Sequence, residues 1–145
     1  MPLRAIIHGS DVVACLLDEA AWNTLKAQTR SKSVEPVLPC GHRAICKTSS
    51  LGTQFFAHVG SQAGPSCGAG ETKEHLLLKS LVVKIAVEMG WTAVPEVPGE
   101  GWRADGMLER QGERRVIEVQ WSHQEDVDFR FRQDRYTQAG LECVW

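Results

Sequence analysis

The sequence lacks any apolar run approaching the roughly 20 residues that a helix needs to cross a bilayer. Its first residues also lack the long apolar core of a secretory signal peptide. A formal net charge of -2 over 145 residues excludes bulk positive charge as a way of coating nucleic acid, although a local basic groove remains compatible with it. There are no internal repeats and no low-complexity tracts. We therefore expect a cytoplasmic globular protein with no membrane attachment.

The chain is long enough for one domain with a substantial core, or for a small core with an appendage. For residues 1–38 we expect a hairpin of the strands LRAIIHG and VVACLL, turned at Ser10-Asp11, followed by a helix with Asp18 as its N-cap. For residues 39–70 we expect a small β-rich region with strands at HRAICK and TQFFAH. The segment GSQAGPSCGAG that follows is rich in turn-forming residues.

The sequence pattern changes at residue 71, and residues 71–145 are predicted to form a separate region. The segment ETKEHLLLKSLVVKIAVEMG predicts a helix that ends at Gly90. The strands WTAVPEV, WRADGMLER and RRVIEVQW follow, with Pro95 favouring an edge or a bulge and Gln111-Gly112 forming a turn. The helix EDVDFRFRQDRYTQAG and the strand LECVW complete the order helix, strand, strand, strand, helix, strand. The fold class is therefore α+β or α/β.

The turn at Gln111-Gly112 sets the pairing of the two strands around it. If these two residues form the loop, Asp105 lies directly opposite Glu118, and such pairs have Cβ atoms roughly 4.5–5.5 Å apart. Two like charges at that distance destabilise a sheet unless a positive charge lies between them. The alternative is a solvated sheet face on which both acids pair with arginines. The arginines available for this are Arg103, Arg114 and Arg115.

A third acid comes from the helix before these strands. On a helical wheel, Glu74 falls between Leu81 and Ile85 in an apolar arc, and His75 and Lys79, which are neighbours one turn apart, also enter the buried side. Burial of an unpaired carboxylate is costly, so a metal, a basic partner or a proton must compensate. Three converging carboxylates would suit a hard cation such as Mg²⁺. The solvent face of this helix is expected at Lys73, Ser80, Lys84 and Glu88.

Five cysteines are present, and in a cytosolic chain these are more often buried thiols or metal ligands than disulfides. Cys15 and Cys143 stand in apolar runs and are interpreted as core residues. A second group mixes thiols and imidazoles, and it supplies more ligands than the four that a structural zinc ion needs. The alternative for this group is a short hairpin with a core cysteine and a hydrogen-bonded histidine. Its members are Cys40, His42, Cys46, His58 and Cys67.

Several of these residues, in this order and spacing, resemble the nuclease-like domain of the competence protein CoiA family over roughly residues 39–145. The segment LGTQFFAH is similar to that family's small N-terminal zinc-binding region, and the later helix fits its F-x-x-R-x-x-x-Y pattern. The remaining matches are Glu74-His75 with Lys79, Arg103-Ala104-Asp105, Ile117-Glu118-Val119-Gln120 with Ser122, and Phe129, Arg132 and Tyr136.

The resemblance implies a PD-(D/E)XK, restriction-endonuclease-like core: a mixed sheet flanked by helices, with a divalent metal at Asp105 and Glu118. Glu74 would be the additional acid, and Gln120 occupies the position where many relatives have lysine. Positive charge would then come from Lys79 or His75, while Ser122, Arg132 and Tyr136 would contact substrate. For Arg132 and Tyr136 the alternative is that they brace the fold. For structural zinc the favoured ligands are Cys40, Cys46, His58 and Cys67, with His42 as the substitute.

The implied activity is Mg²⁺- or Mn²⁺-dependent hydrolysis of DNA phosphodiester bonds, in DNA uptake, recombination or defence. The alternative is a non-catalytic module that binds nucleic acid or protein on a degenerate nuclease scaffold. A third hypothesis is a zinc-stabilised interaction domain unrelated to nucleic acid. Oligomeric state is left open, with a homodimer among the options.

Overall fold

The computed structural model describes residues 1–60, 71–121 and 125–145, which form a mixed α+β protein with three α-helices and three sheets among those residues. The chain divides into two compact units, Met1–Ser80 and Leu81–Trp145. None of the α-helices in the described ranges is both long and apolar enough to cross a membrane.

The first unit begins with a hairpin of β1 (Arg4–Ile7) and β2 (Ser10–Val13). The predicted turn at Ser10-Asp11 is wrong, because the strands are joined at His8-Gly9. Both of these residues have positive φ angles, 50° and 79°, as a two-residue hairpin turn requires. The predicted strand VVACLL is also shorter than expected, since a 3₁₀ turn over Ala14–Leu16 follows β2.

Helix α1 (Glu19–Arg30) begins where the sequence predicts, since the side chain of Asp18 accepts a hydrogen bond from the backbone N–H of Ala21 at 2.7 Å. Its apolar face buries Trp22 and Leu25. The two predicted strands of the next region form the antiparallel hairpin β3 (Ala44–Thr48) and β4 (Gln54–His58).

One core serves both of these N-terminal regions. It joins residues of β1 and α1 to residues of β3 and β4, and the ring of Trp22 packs edge-on against Phe56 with centroids 5.5 Å apart. The expected boundary between residues 38 and 39 therefore lies inside a single hydrophobic core. The division between the two units instead falls within α2, after Ser80.

Helix α2 (Lys73–Glu88) confirms the predicted helix, but its buried face differs from the expected one. Lys79 is 4% exposed, as expected for a side chain on the buried side of the helix. Ser80, expected in solvent, is 2% exposed, whereas Leu81 and Ile85, expected to be buried, are 42% and 53% exposed. The reason is that apolar side chains lie on more than one side of this helix, so the apolar arc alone does not determine which side is buried.

The second unit contains a four-stranded sheet in the order β5-β6-β7-β8. Strands β5, β6 and β7 are antiparallel, and β8 joins β7 in parallel after helix α3, so the sheet is mixed as expected. The predicted order of elements is confirmed, and β5 is an edge strand, as Pro95 indicated. The bounds are β5 Thr92–Gly99, β6 Trp102–Arg110, β7 Glu113–Ile117, α3 Asp126–Gln138 and β8 Glu142–Val144.

The predicted register of β6 and β7 is also confirmed. Gln111 and Gly112 both have positive φ angles, 52° and 82°, and the first pair beyond them is Arg110 with Glu113. The ladder continues to the pair of Gly106 with Ile117. One face of α3 closes over this sheet, where Tyr136 packs in the core with Ala104, Met107 and Val116.

Candidate functional site

Asp105 and Glu118 lie in the second unit, one position beyond the last ladder pair of β6 and β7. There the ladder gives way to two other bonds. The backbone N–H of Glu118 donates to the carbonyl of Val144 in β8 at 2.9 Å, and that of Val119 donates to Oδ2 of Asp105 at 2.9 Å. The chain thus passes the Asp105 carboxylate as it leaves β7. The bond from Val119 holds Asp105 beside the residue that follows Glu118.

The carboxylate of Glu118 is buried and bonded at both oxygens. The residue is 2% exposed; the hydroxyl of Tyr136 donates to Oε1, and the guanidinium of Arg132 donates to Oε2. Burial, together with the negative charge of Asp105, raises the pKa of Glu118 to about 7, although the hydrogen bonds from Tyr136 and Arg132 lower it. Desolvation therefore outweighs two donors, and the group changes charge near neutral pH.

Helix α3 supplies both donors from one face. Tyr136 is 1% exposed, and its ring packs edge-on against Trp102 with centroids 5.1 Å apart. Burial, and then the carboxylate of Glu118, raise the pKa of the Tyr136 hydroxyl, so it stays a donor. The side chain of Arg132 is 34% exposed and stacks 4.8 Å above the ring of Trp145.

These contacts give Arg132 and Tyr136 a role within the protein. The sequence left open whether they contact substrate or brace the fold, and each donates to Glu118. The signal was present in the sequence, because the two residues are i and i+4 on one helix and can therefore converge on one group. Their contact with substrate stays a prediction. Gln120 is exposed, while Ser122 lies outside the described residues.

A further acid, Glu96, was missed. It is 2% exposed and stands on β5 between two residues that pair with Gly106 and Ala104, so its position in the register is opposite Asp105. Its φ of 60° interrupts the regular extended backbone there. A guanidinium nitrogen of Arg103 is 3.9 Å from its Oε2. Arg103 was one of the three arginines that could pair with Asp105 or Glu118 on a solvated sheet face, and in the structure it lies beside Glu96.

The predicted residues of α2 belong to the first unit, where Glu71 organises two of them. Oε1 of Glu71 lies 3.1 Å from Nδ1 of His75 and accepts a hydrogen bond from the ammonium of Lys79. Its Oε2 lies 2.9 Å from the amino group of Met1. Burial alone would raise the pKa of Glu71, but the bond from His75 and the charge of Lys79 hold it down to about 2.

The carboxylate partner of Lys79 and His75 is thus an acid that the sequence analysis did not consider. Glu71 precedes the two residues by eight and four positions, so helical spacing was the available signal. The catalytic role of His75 and Lys79 stays a prediction. So does the role of Glu74 as a metal ligand. Its side chain is 37% exposed, with Oε1 3.9 Å from Nζ of Lys73, so the expected cost of burying it does not arise.

A separate cluster of thiol and imidazole groups lies in the first unit. Cys40, His42 and His58 place their potential ligand atoms within 4.8 Å of one another, and Sγ of Cys40 is 3.3 Å from Nε2 of His58. Cys46, which was favoured as a ligand, instead packs against the core with its sulfur 3.6 Å from the hydroxyl of Thr29. His42, held as the substitute, takes its place in the cluster.

The difference at Cys46 follows from its position along the hairpin. Cys46, Ala44 and His58 share one face of the hairpin, but Cys46 lies within β3 against the core, whereas His58 is the last residue of β4, where the loop residues approach. Burial raises the pKa of the Cys46 thiol, which disfavours the thiolate that metals need. Cys67 lies outside the described residues.

The two cysteines interpreted as core residues are both shielded. Cys15 is 4% exposed, and Cys143 packs against the core of the second unit. Burial, followed by the charge of Glu118, raises the pKa of Cys143 to about 12. Both thiols therefore act as small apolar groups at neutral pH.

Comparison with protein-family models, with curated proteins and with solved structures finds no match for this chain.

Proposed function

We propose that this chain is a Mg²⁺- or Mn²⁺-dependent deoxyribonuclease acting at Asp105 and Glu118, on a restriction-endonuclease-like core similar to that of the competence protein CoiA family. The observation that carries the proposal is the placement of these two acids at adjacent positions where β6 and β7 part. DNA is the proposed partner and the cytosol the proposed location. DNA uptake, recombination and defence are the settings in which such an activity would serve.

The donor set fits a hard divalent cation. Both acids offer carboxylate oxygens, the ligands that Mg²⁺ prefers, and Mg²⁺ often uses only one or two protein carboxylates together with water and phosphate oxygens. The raised pKa of Glu118, about 7, reflects negative charge that burial leaves poorly solvated beside Asp105. A cation held between Asp105 and Glu118 would relieve that repulsion. When bound, it would supply charge neutralisation at phosphate and an acidified water.

The chain's own residues would contribute position and charge. Asp105 is held by the N–H of Val119, which donates to its Oδ2. Tyr136 fixes Oε1 of Glu118 from the core side. Arg132 is the cation on Glu118 and is the group that a metal would have to displace from Oε2. Gln120, which is exposed, can orient a water molecule by hydrogen bonding but supplies no positive charge.

A second candidate is a non-catalytic module that binds nucleic acid or protein on the same scaffold. The bonds that Arg132 and Tyr136 make to Glu118 favour it, because they satisfy the buried carboxylate without a metal. On this alternative the acid, the arginine and the tyrosine simply anchor α3 to the sheet.

Cleavage assays on the full chain distinguish the two candidates. Single- and double-stranded DNA are incubated with the protein and Mg²⁺, Mn²⁺ or EDTA, and Asp105→Asn and Glu118→Gln are compared with the parent. Several kcal/mol of transition-state stabilisation depend on a catalytic metal, so we expect each variant to lose about 1,000-fold in rate. Asp105→Asn keeps an oxygen that can accept from Val119, so its fold is retained.

The matched control is Glu109→Gln, an exposed acid on the same strand, which we expect to cleave at the parental rate. Circular dichroism confirms folding of each variant. Cleavage that persists in the Asp105→Asn/Glu118→Gln double variant would refute Asp105 and Glu118 as the site. DNA binding by the parent without turnover under either metal would favour the non-catalytic module.

A further inference from the structure

Helix α2 has a second apolar face, on the part of the helix that belongs to the second unit. Leu81, Ile85 and Met89 are 42%, 53% and 62% exposed, whereas Val83 and Ala86, on the other side of the helix, are buried. We propose that this exposed stripe, formed by Leu81, Ile85 and Met89, binds a second copy of the chain, with the two α2 helices antiparallel. The proposal does not depend on the proposed nuclease activity.

The stripe is a single row of side chains along the helix. Its members are four residues apart, and side chains with this spacing form the ridge that packs in the commonest class of helix–helix contact. The N–H of Met89 donates to the carbonyl of Ile85 at 2.9 Å. Met89 therefore continues the helical row just beyond the last residue of α2.

The end of α2 holds this row in a fixed conformation. The N–H of Gly90, a residue with a φ of 81°, donates to the carbonyl of Val87 at 3.0 Å. The N–H of Trp91 donates to the carbonyl of Ala86 at 2.9 Å. These are the two bonds of a Schellman C-cap, which satisfies the last carbonyls of a helix. The stripe is therefore ordered before a partner binds, so association requires little further ordering of the backbone.

A row of opposite charges lies beside the stripe. Lys84 and Glu88 are both exposed and one helical turn apart, on the side of Leu81 that faces away from Met89 around the helix axis. In an antiparallel pair related by a two-fold axis, each row meets its own copy in the reverse direction. An axis beside Ile85 therefore brings Leu81 of one copy to Met89 of the other. It also brings Lys84 of each copy to Glu88 of the other.

This charge complementarity selects a second copy as the occupant and sets its direction. The antiparallel pair matches unlike charges twice, because the two-fold axis repeats each contact. A parallel pair would instead bring Lys84 to the level of the other Lys84, and Glu88 to the level of the other Glu88. Exposed ion pairs contribute little affinity, but like charges in their place oppose the wrong arrangement.

The interface on this stripe is small and apolar at its centre. Isolated exposed apolar side chains are ordinary on a protein surface, whereas contiguous ones mark contact surfaces. A formal net charge of -2 leaves little overall repulsion between two copies. One helix face buries less than the roughly 1,600 Å² of a standard interface, so we expect a weak dimer with a dissociation constant on the order of 10 µM.

Sedimentation velocity of the full chain, from about 1 to 200 µM around that dissociation constant, measures the association. We expect the parent to approach twice the 16.1 kDa of one chain as concentration rises. Ile85→Glu removes apolar contact from both copies and places like charges at the axis, so the dissociation constant should rise about 100-fold or more. Val127→Glu, at a 73% exposed apolar position of α3, is the matched control and should associate as the parent does. Circular dichroism checks that each variant is folded.

Charge reversal tests the antiparallel pairing. Lys84→Glu alone and Glu88→Lys alone each bring like charges together at two places, and each should weaken association about tenfold. An equimolar mixture of the two variants should associate as the parent does, because unlike charges then meet again between the two different chains. A loss of helix stability within one chain is not restored by mixing, so the mixture separates the interface from the fold.

Three results would overturn the proposal. A parent that stays monomeric at about 200 µM, well above the expected dissociation constant, would leave the stripe to a different protein. A dimer of unchanged affinity in Ile85→Glu would place the interface on another surface. Association that is lost in Ile85→Glu but not restored by mixing Lys84→Glu with Glu88→Lys would refute the antiparallel pairing. None of these results depends on DNA cleavage, so this proposal and the nuclease can fail separately.

Discussion

Replacement of Glu118 by glutamine tests the electrostatics of the candidate site directly. Glutamine has the same shape, keeps an oxygen that can accept from Tyr136, and cannot ionise. Burial beside Asp105 raises the pKa of Glu118 to about 7, whereas the unfolded chain has an ordinary value of 4.5. Between these two pH values the folded state holds a proton that the unfolded state has released. The free energy of unfolding of the parent must therefore fall as pH rises through that window.

The size of the effect follows from the same two values. The difference between 4.5 and about 7 corresponds to about 3 kcal/mol of stability, fully present below pH 4.5 and lost above pH 7. Roughly 2 kcal/mol of this is lost between pH 5.5 and pH 9. Because the Glu118→Gln variant has no such proton, its stability relative to the parent should improve by about 2 kcal/mol over that range.

Urea unfolding of parent and Glu118→Gln at half-unit steps from pH 5.5 to pH 9 measures the difference. Titrating groups remote from Glu118 are common to both proteins and cancel in the comparison. Glu109→Gln, at an exposed site of β6, is the control, and its free energy of unfolding should change with pH as that of the parent does. If the free energy of unfolding of Glu118→Gln changes with pH as that of the parent does, the Glu118 carboxylate is ionised throughout this pH range. The argument that burial outweighs the two hydrogen-bond donors is then refuted.

Two further predictions concern the first unit. Lys79→Met removes the buried ammonium on Glu71 and should cost about 3 kcal/mol in urea unfolding at pH 7, with Lys73→Met as the exposed control. Because the pKa of Glu71 is lowered to about 2, its contribution to the free energy of unfolding is present above pH 4.5 and is lost as pH falls towards 2. The stability of Lys79→Met should therefore fall less steeply than that of the parent over this acidic range. An unchanged pH dependence would contradict the pairing of Lys79 with Glu71. Asp18→Ala should lower stability by about 1 kcal/mol through loss of the cap on α1, and Asp18→Asn by less than half of that; equal losses would mean that charge, not the hydrogen bond, matters.

The parts of the fold that the sequence predicted are those governed by local chemistry. Gln111 and Gly112 adopt left-handed angles in a two-residue turn, and that alone fixes which residues of β6 and β7 face each other. The cap at Asp18 and the edge position of Pro95 rest on equally local rules. Interactions within about four residues leave few alternatives, although the turn predicted at Ser10-Asp11 lies two residues earlier, at His8-Gly9.

The parts that the sequence did not predict depend on which side of an element meets another. The inner face of α2 differs from the predicted one at Ser80, Leu81 and Ile85, because apolar side chains lie on more than one side of that helix. Whether Arg132 and Tyr136 contact substrate or brace the fold stayed open, because the contact of α3 with the sheet is not encoded in either segment alone. Cys46 was grouped with metal ligands by its spacing, while its position within β3 directs it to the core.

The bond between Arg132 and Glu118 sets how tightly a cation must bind for the proposed site to load. A hydrogen bond to a charged group contributes about 1.5–3 kcal/mol, and a metal at 100 times its dissociation constant contributes about 2.7 kcal/mol. At millimolar Mg²⁺, displacement of Arg132 therefore requires a dissociation constant in the tens of micromolar. The guanidinium, 34% exposed, can return to water, whereas Tyr136, 1% exposed, cannot. A bound cation would thus replace Arg132 and leave the bond from Tyr136 to Glu118 intact. A cation that binds more weakly would leave Arg132 in place, and the protein would then have no catalytic metal.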